Sequence, residues 1–138
     1  MFYVRQISTD ADTSKANATE TRIKAWGGII TKISVRFPPG PQFLLHCSIS
    51  QGGHQIFPVD ENFDVTGENE AVTTDEYYKM QSGYNLILVR TWNDDDTYAH
   101  SCLVRITVLP QFVATPYFAL RDIATSLRFI LRRIGLKV

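Results

Sequence analysis

Three histidines, two cysteines and two runs of carboxylates are the side chains here whose types could do chemistry. His46, His54 and His100 have no neighbour at metal-ligand spacing. His46 and His100 fall on segments that could lie side by side, where a metal or an acid–base pair is conceivable. A hydrogen-bonded or exposed strand histidine explains the same residues without either. The stretch Asp60-Glu61-Asn62-Phe63-Asp64-Val65-Thr66-Gly67 opens like a calcium loop, with oxygens at its first, third and fifth positions. It then departs from that pattern, because Val65 stands where the sharp-turn glycine belongs and Ala71 where the bidentate glutamate belongs. A looser calcium site in a sandwich loop, helped by Asp94 to Asp96, stays open. No glycine-rich phosphate loop, nucleophile elbow or paired-cysteine zinc motif is present. No catalytic, cofactor-binding or metal-ligating residue is therefore assigned, and no cofactor is expected. Tyr77-Tyr78, Tyr84, Trp92 and Tyr98 could line a sugar-binding surface; the competing expectation places Tyr84 and Trp92 in the core and the tyrosine pair at an edge.

The elements that would hold these side chains are strands. From Gly28 to Pro38, Ile29, Thr31, Ile33, Val35 and Phe37 alternate with Lys32, Ser34 and Arg36, the period of a half-buried strand. Pro38-Pro39-Gly40-Pro41 turns the chain. Phe43, Leu45, Cys47 and Ile49 then alternate with His46, Ser48 and Ser50, and Tyr84 to Trp92 is a nearly continuous apolar run suited to the middle of a sheet. Cys102, Val104, Ile106 and Val108 form the next apolar phase, stopped by Pro110. Shorter strands are expected at Phe2 to Ser8, Thr21 to Ala25, His54 to Pro58 and, as an acid-dulled edge, Glu70 to Thr74. Seven or eight short strands without crossover helices predict an all-β fold: an antiparallel sandwich or jelly roll over residues 1–110. Cys47 and Cys102 both lie on apolar phases, which favours buried thiols over one disulfide.

Residues 111–138 differ in kind. Leu120, Ile123, Ala124, Leu127, Ile130, Leu131 and Ile134 follow the spacing of an amphipathic helix that begins after Pro116 and ends at Gly135, with Phe112, Val113, Tyr117 and Phe118 as an apolar hinge or anchor. The chain has 138 residues, one domain's worth, with 14 basic and 14 acidic side chains. That neutrality is a cancellation. Residues 119–138 hold five basic side chains and one acidic, a net +4, while residues 1–118 hold nine and thirteen, a net −4. Zero net charge gives no general reason to expect a specific nucleic-acid partner. No apolar run reaches the roughly 20 residues of a bilayer span, and the start of the chain lacks the pattern of a secretory signal. Carbohydrate on Asn17-Ala18-Thr19 would require a secreted setting.

The helix is the strongest functional signal. Phe118, Arg121, Leu127, Arg128, Leu131, Arg132, Arg133 and Lys137 are the expected partner-binding residues. The helix either packs on its own sandwich or docks on another subunit, an anionic surface or a membrane. Opposite charges on helix and body would guide head-to-tail contact between copies, making a homo-oligomer an expectation.

The runs Gly28 to Gly40, Gly53-His54-Gln55-Ile56-Phe57-Pro58, Glu76-Tyr77-Tyr78 and Thr91 to His100 resemble a group of small β-sandwich proteins of phage and environmental genomes, over residues 28–110. That resemblance implies location in a virion and a role as a capsid decoration or minor virion component whose partners are other virion or assembly subunits. It implies no active site. The expected function is a non-enzymatic structural protein fastened by its C-terminal helix. The alternative is a glycan- or membrane-surface-binding module, in the cytoplasm or at the cell surface.

Overall fold

A computed structural model describes residues 1–135, except the side chains at 114, 115, 117, 118, 121 and 122. Among the described residues, nine strands form two antiparallel sheets. They are β1 (Phe2–Thr9), β2 (Thr19–Trp26), β3 (Ile29–Phe37), β4 (Leu45–Gln51), β5 (His54–Phe57), β6 (Val65–Thr66), β7 (Glu70–Lys79), β8 (Tyr84–Asn93) and β9 (His100–Leu109). A short 3-10 turn, η1, spans Lys15–Asn17, and the helix α1 spans Gln111–Arg133. One sheet has the order β1-β9-β3-β7; the other has β2-β8-β4-β5, with β6 also pairing β4.

This is the sandwich that the alternation predicts, with β8 central and β7 at an edge. The apolar phases of β3, β4, β8 and β9 face inward, so Ile33, Val35, Phe37, Leu45, Ile49, Ile87 and Ile106 lose all contact with solvent. Removing that apolar surface from water is the main force joining the sheets. Cys47 and Cys102 join this core as free thiols. Thr9 and Thr91, one from each sheet, pair their buried hydroxyls at 2.6 Å.

Several details depart from the sequence expectations. The alternation of β3 shifts at Thr31, where a bulge brings Ile30 in place of Ile29 into the core cluster with Ile33, while Ile29 is buried outside that cluster. Phe43 does not begin a strand: it and Gln42 adopt left-handed backbone (φ 64° and 48°), and its ring is exposed. The pinned geometry after Pro41 accounts for this, since two left-handed residues reverse the chain before β4 can start. Tyr84 is exposed and does not fill the core, because it lies on the outer phase of β8. β6 is an additional two-residue strand.

Gly67 follows β6 at a close approach. A Cβ built there would lie 2.6 Å from the Phe37 ring, so only glycine lets the chain pass beneath that ring.

The helix begins at Gln111, so the segment expected to be a hinge forms its first turns and Pro116 lies inside it. Pro110 (φ −59°, ψ 143°) stands at the N-terminal boundary, and its carbonyl accepts the Val113 amide at 3.0 Å. A single residue thus separates β9 from α1.

Candidate functional site

The strand directions give the molecule two unlike poles. β9 runs from His100, paired with Thr9, to Leu109, paired with Ile29, so α1 leaves from one pole while the β1–β2, β3–β4, β6–β7 and β8–β9 loops gather at the other.

At the loop pole the structure forms contacts that the spacing of residues did not reveal. His46 on β4 places Nδ1 2.5 Å from Asp64 Oδ2 and Nε2 2.9 Å from Asp94 Oδ2. Each ring nitrogen of His46 therefore faces a carboxylate oxygen, one from each of two loops. The His46 ring stacks on Trp92, their planes 6° apart, and Lys15 sits over the Trp92 ring at 5.0 Å. Trp92 is therefore buried as the sequence suggests, but on the outer phase of β8. His100 and His46 do not meet; His100 Nε2 contacts Asp95 Oδ2 at 2.7 Å.

Asp95 Oδ1 accepts the amides of Thr97 and Tyr98. The Thr97 amide, the His100 ring and the Tyr98 amide hold the Asp95 carboxyl below its ordinary value. The amides of Gly40 and Gln42 do the same for Glu68. Asp94 and Asp95 thus belong to a built network and are not merely solvated loop acids.

The chemistry of this pole is positional. His46 joins β4 to the acids that precede β6 and follow β8, while His100 and Glu68 pin the loops beside them. Among the described residues no group of three or more histidines, cysteines or acids is arranged to hold a metal ion. The Cys47 thiol is pushed well above its usual range, first by its hydrogen bond with Cys102 and then by burial. That shift opposes formation of a reactive thiolate.

A carboxylate whose folded value is depressed stabilises the fold above its unfolded value and loses that contribution as pH falls through the folded one. Asp95 and Glu68 both have this sign. Thermal midpoints are expected to fall from roughly pH 5 downward. The double substitution Asp95→Asn with Glu68→Gln should flatten that acid limb in a melting series. An unchanged limb would remove these two groups as its source.

The helix is the other candidate site. Leu120, Ile123, Leu127, Ile130 and Ile134 are each more than half exposed, and Leu131 is half-buried. Arg128, Arg132 and Arg133 are exposed, with Arg133 lying over the Phe129 ring. Phe118 and Arg121 lie in the helix, but their side chains fall outside the described set; Lys137 lies outside the described residues. Among the described residues, this stripe stands largely in solvent. The helix meets the body at its root, where Gln111 Nε2 donates to the Met80 carbonyl at 3.5 Å. No described helix is long and apolar enough to cross a membrane.

No protein-family model matches this chain, and no curated protein matches it. A solved structure titled "Crystal Structure of FLHE" aligns with 76% of this chain and 95% of its own, at 13% identity and a TM-score of 0.34.

Proposed function

We propose that this chain is a non-enzymatic structural subunit: the sandwich is its body and α1 fastens it into a larger assembly. One observation carries this reading, the apolar stripe of α1 standing in solvent while the body's own core is complete. Monomeric soluble proteins seldom expose contiguous apolar surface beyond a few hundred Å², and helices draw most of their stability from packing such a face. A virion, as decoration or minor capsid component, is the setting that the resemblance of residues 28–110 implies.

The test is incorporation. In cells of the organism that encodes it, the tagged full chain should sediment with large particles. The chain lacking residues 117–138 should remain folded at the top of the gradient, and equal recovery of both with particles would defeat the proposal.

A second reading, a module for glycans or a membrane surface, draws on the exposed Trp26–Tyr84 pair, whose rings meet edge to face at 4.7 Å. Trp26 also lines a groove of about 500 Å³ with Met1, Gly83, Pro110 and Phe112 at the helix root. A glycan array and vesicle sedimentation test it; binding by a strictly monomeric protein would favour it.

A further inference from the structure

We propose that α1 of one copy docks on the loop pole of the next, joining copies head to tail. This rests on the fastening role of the helix and identifies what the helix fastens to.

Charge is the first argument. Nine of the fourteen acidic residues lie in the loops 10–18, 58–64, 67–69 and 94–99, accompanied by one cation, Lys15. The helix α1, which leaves from the opposite pole, holds Arg121, Arg128, Arg132 and Arg133 against the single acid Asp122. The acidic loops and the basic helix therefore stand at opposite ends of the molecule. Opposite poles on identical copies attract head to tail, while like poles repel.

Apolar surface is the second argument. The loop pole and the flank leading to it expose Phe43, Val59, Phe63 and Tyr98, each more than half accessible. Phe43 is held outward by its left-handed backbone, a conformation seldom adopted by a bulky residue. Acid beside exposed aromatic surface is the counterpart of a helix whose leucines and isoleucines are flanked by arginines. Matching of this kind guides encounter through charge and gains affinity by burying apolar surface.

Connectivity supplies the third. Only Pro110 lies between β9 and α1, and the helix leaves from the pole opposite the acids with its stripe in solvent, so α1 as it stands does not reach its own loop pole. It can reach that of a second copy. Contact between two different patches is heterologous and forms a ring if the rotation closes or a filament if it does not. Both are arrangements for repeating a subunit along or around a particle. An anionic bilayer is a poorer occupant, because the charge that would attract it is matched by an acidic body on the same chain.

The experiment uses two full-length variants and sedimentation velocity. One carries Leu127→Glu with Ile130→Glu on the stripe; the other carries Phe43→Asn with Asp96→Lys at the loop pole. All four positions are exposed, and circular dichroism with melting checks that both variants fold. The wild type should form concentration-dependent oligomers, weakened about tenfold when ionic strength rises from about 0.05 M to about 0.5 M. Each variant alone should be monomeric.

Mixed together, the variants should form a dimer and stop there, because each retains the half that the other lacks. If the pole variant oligomerises alone, the helices pair with each other and the proposal falls. A monomeric wild type that floats with anionic vesicles assigns the helix to lipid and overturns it. A pole variant that still enters particles while the stripe variant does not would leave the fastening role standing without self-docking. A dimer in the mixture, with a stripe variant that still enters particles, would leave self-docking standing without the fastening role.

Discussion

Replacing Phe37 with alanine should lower the stability of the sandwich by about 3–5 kcal/mol, the usual loss for a fully buried phenylalanine. The ring is entirely inaccessible, on the last residue of β3, and it covers Gly67 where the chain leaves β6. Truncation removes the buried ring and leaves a void bounded on one side by backbone, which relaxes less readily than side chains. For a domain of this size the thermal midpoint should fall by about 10–20 °C. The denaturant midpoint should move without a change in slope. Phe37→Leu should lose much less, because it keeps most of the volume. A Phe37→Ala loss below about 1 kcal/mol would show that the core closes over the void, contrary to the packing described. The self-association test should be unaffected wherever the variant is folded, since Phe37 touches neither the stripe nor the exposed surface of the pole.

Much of the body was legible in the sequence because its strands obey a two-residue period and the sheets bury one face. Alternation locates β3, β4, β8 and β9 and identifies Cys47, Cys102, Val104 and Ile106 as interior. It fails where the period is interrupted or too short to measure. Thr31 bulges, so Ile30 takes the core position that the alternation gives to Ile29. β6 has two residues, and Phe43 follows a turn whose left-handed pair is not signalled by glycine. Pro116 suggests a helix start because proline usually ends or begins one. Yet the helix absorbs it, since the lost hydrogen bond falls near the helix's own beginning.

The network at the loop pole was invisible for a different reason. His46 meets acids 18 and 48 residues away, and only the pairings of β4 with β6 and β8 bring them to one place. Local charge density identifies the acids but not their partners. The helix stripe, by contrast, is a local pattern, and the sequence located it while leaving open whether it packs in cis. In the structure Leu120, Ile123, Leu127, Ile130 and Ile134 of that stripe are exposed.

Asn93→Asp should be among the most damaging single changes at the loop pole. Asn93 is 1% exposed at the end of β8. Its side-chain amide donates to the Tyr98 carbonyl at 2.8 Å and lies 3.3 and 3.5 Å from the carbonyls of Asp10 and Thr9. Its Oδ1 accepts the Asp95 amide at 3.0 Å, and its backbone pairs with Thr13 in both directions. This side chain ties the β1–β2 loop to the β8–β9 loop and thereby sets the path that carries Asp94 and Asp95 to their histidines. The substitution keeps the shape but replaces the donor with an oxygen facing three carbonyls, and adds a buried charge. Unsatisfied carbonyls and a buried charge together should cost about 3–5 kcal/mol near neutral pH. Burial and the carbonyl dipoles would raise the introduced carboxyl above its unfolded value, so the loss relative to wild type is fully present above the folded value and shrinks as pH falls toward about 4. Protonation also restores one donor to the Tyr98 carbonyl. Asn93→Ala removes the bonds without adding a charge, so its deficit should stay level across the same range. Denaturant titrations of the three proteins from pH 7 to about pH 4 test this, and parallel curves for the two variants would rule out the charge as the source of the loss.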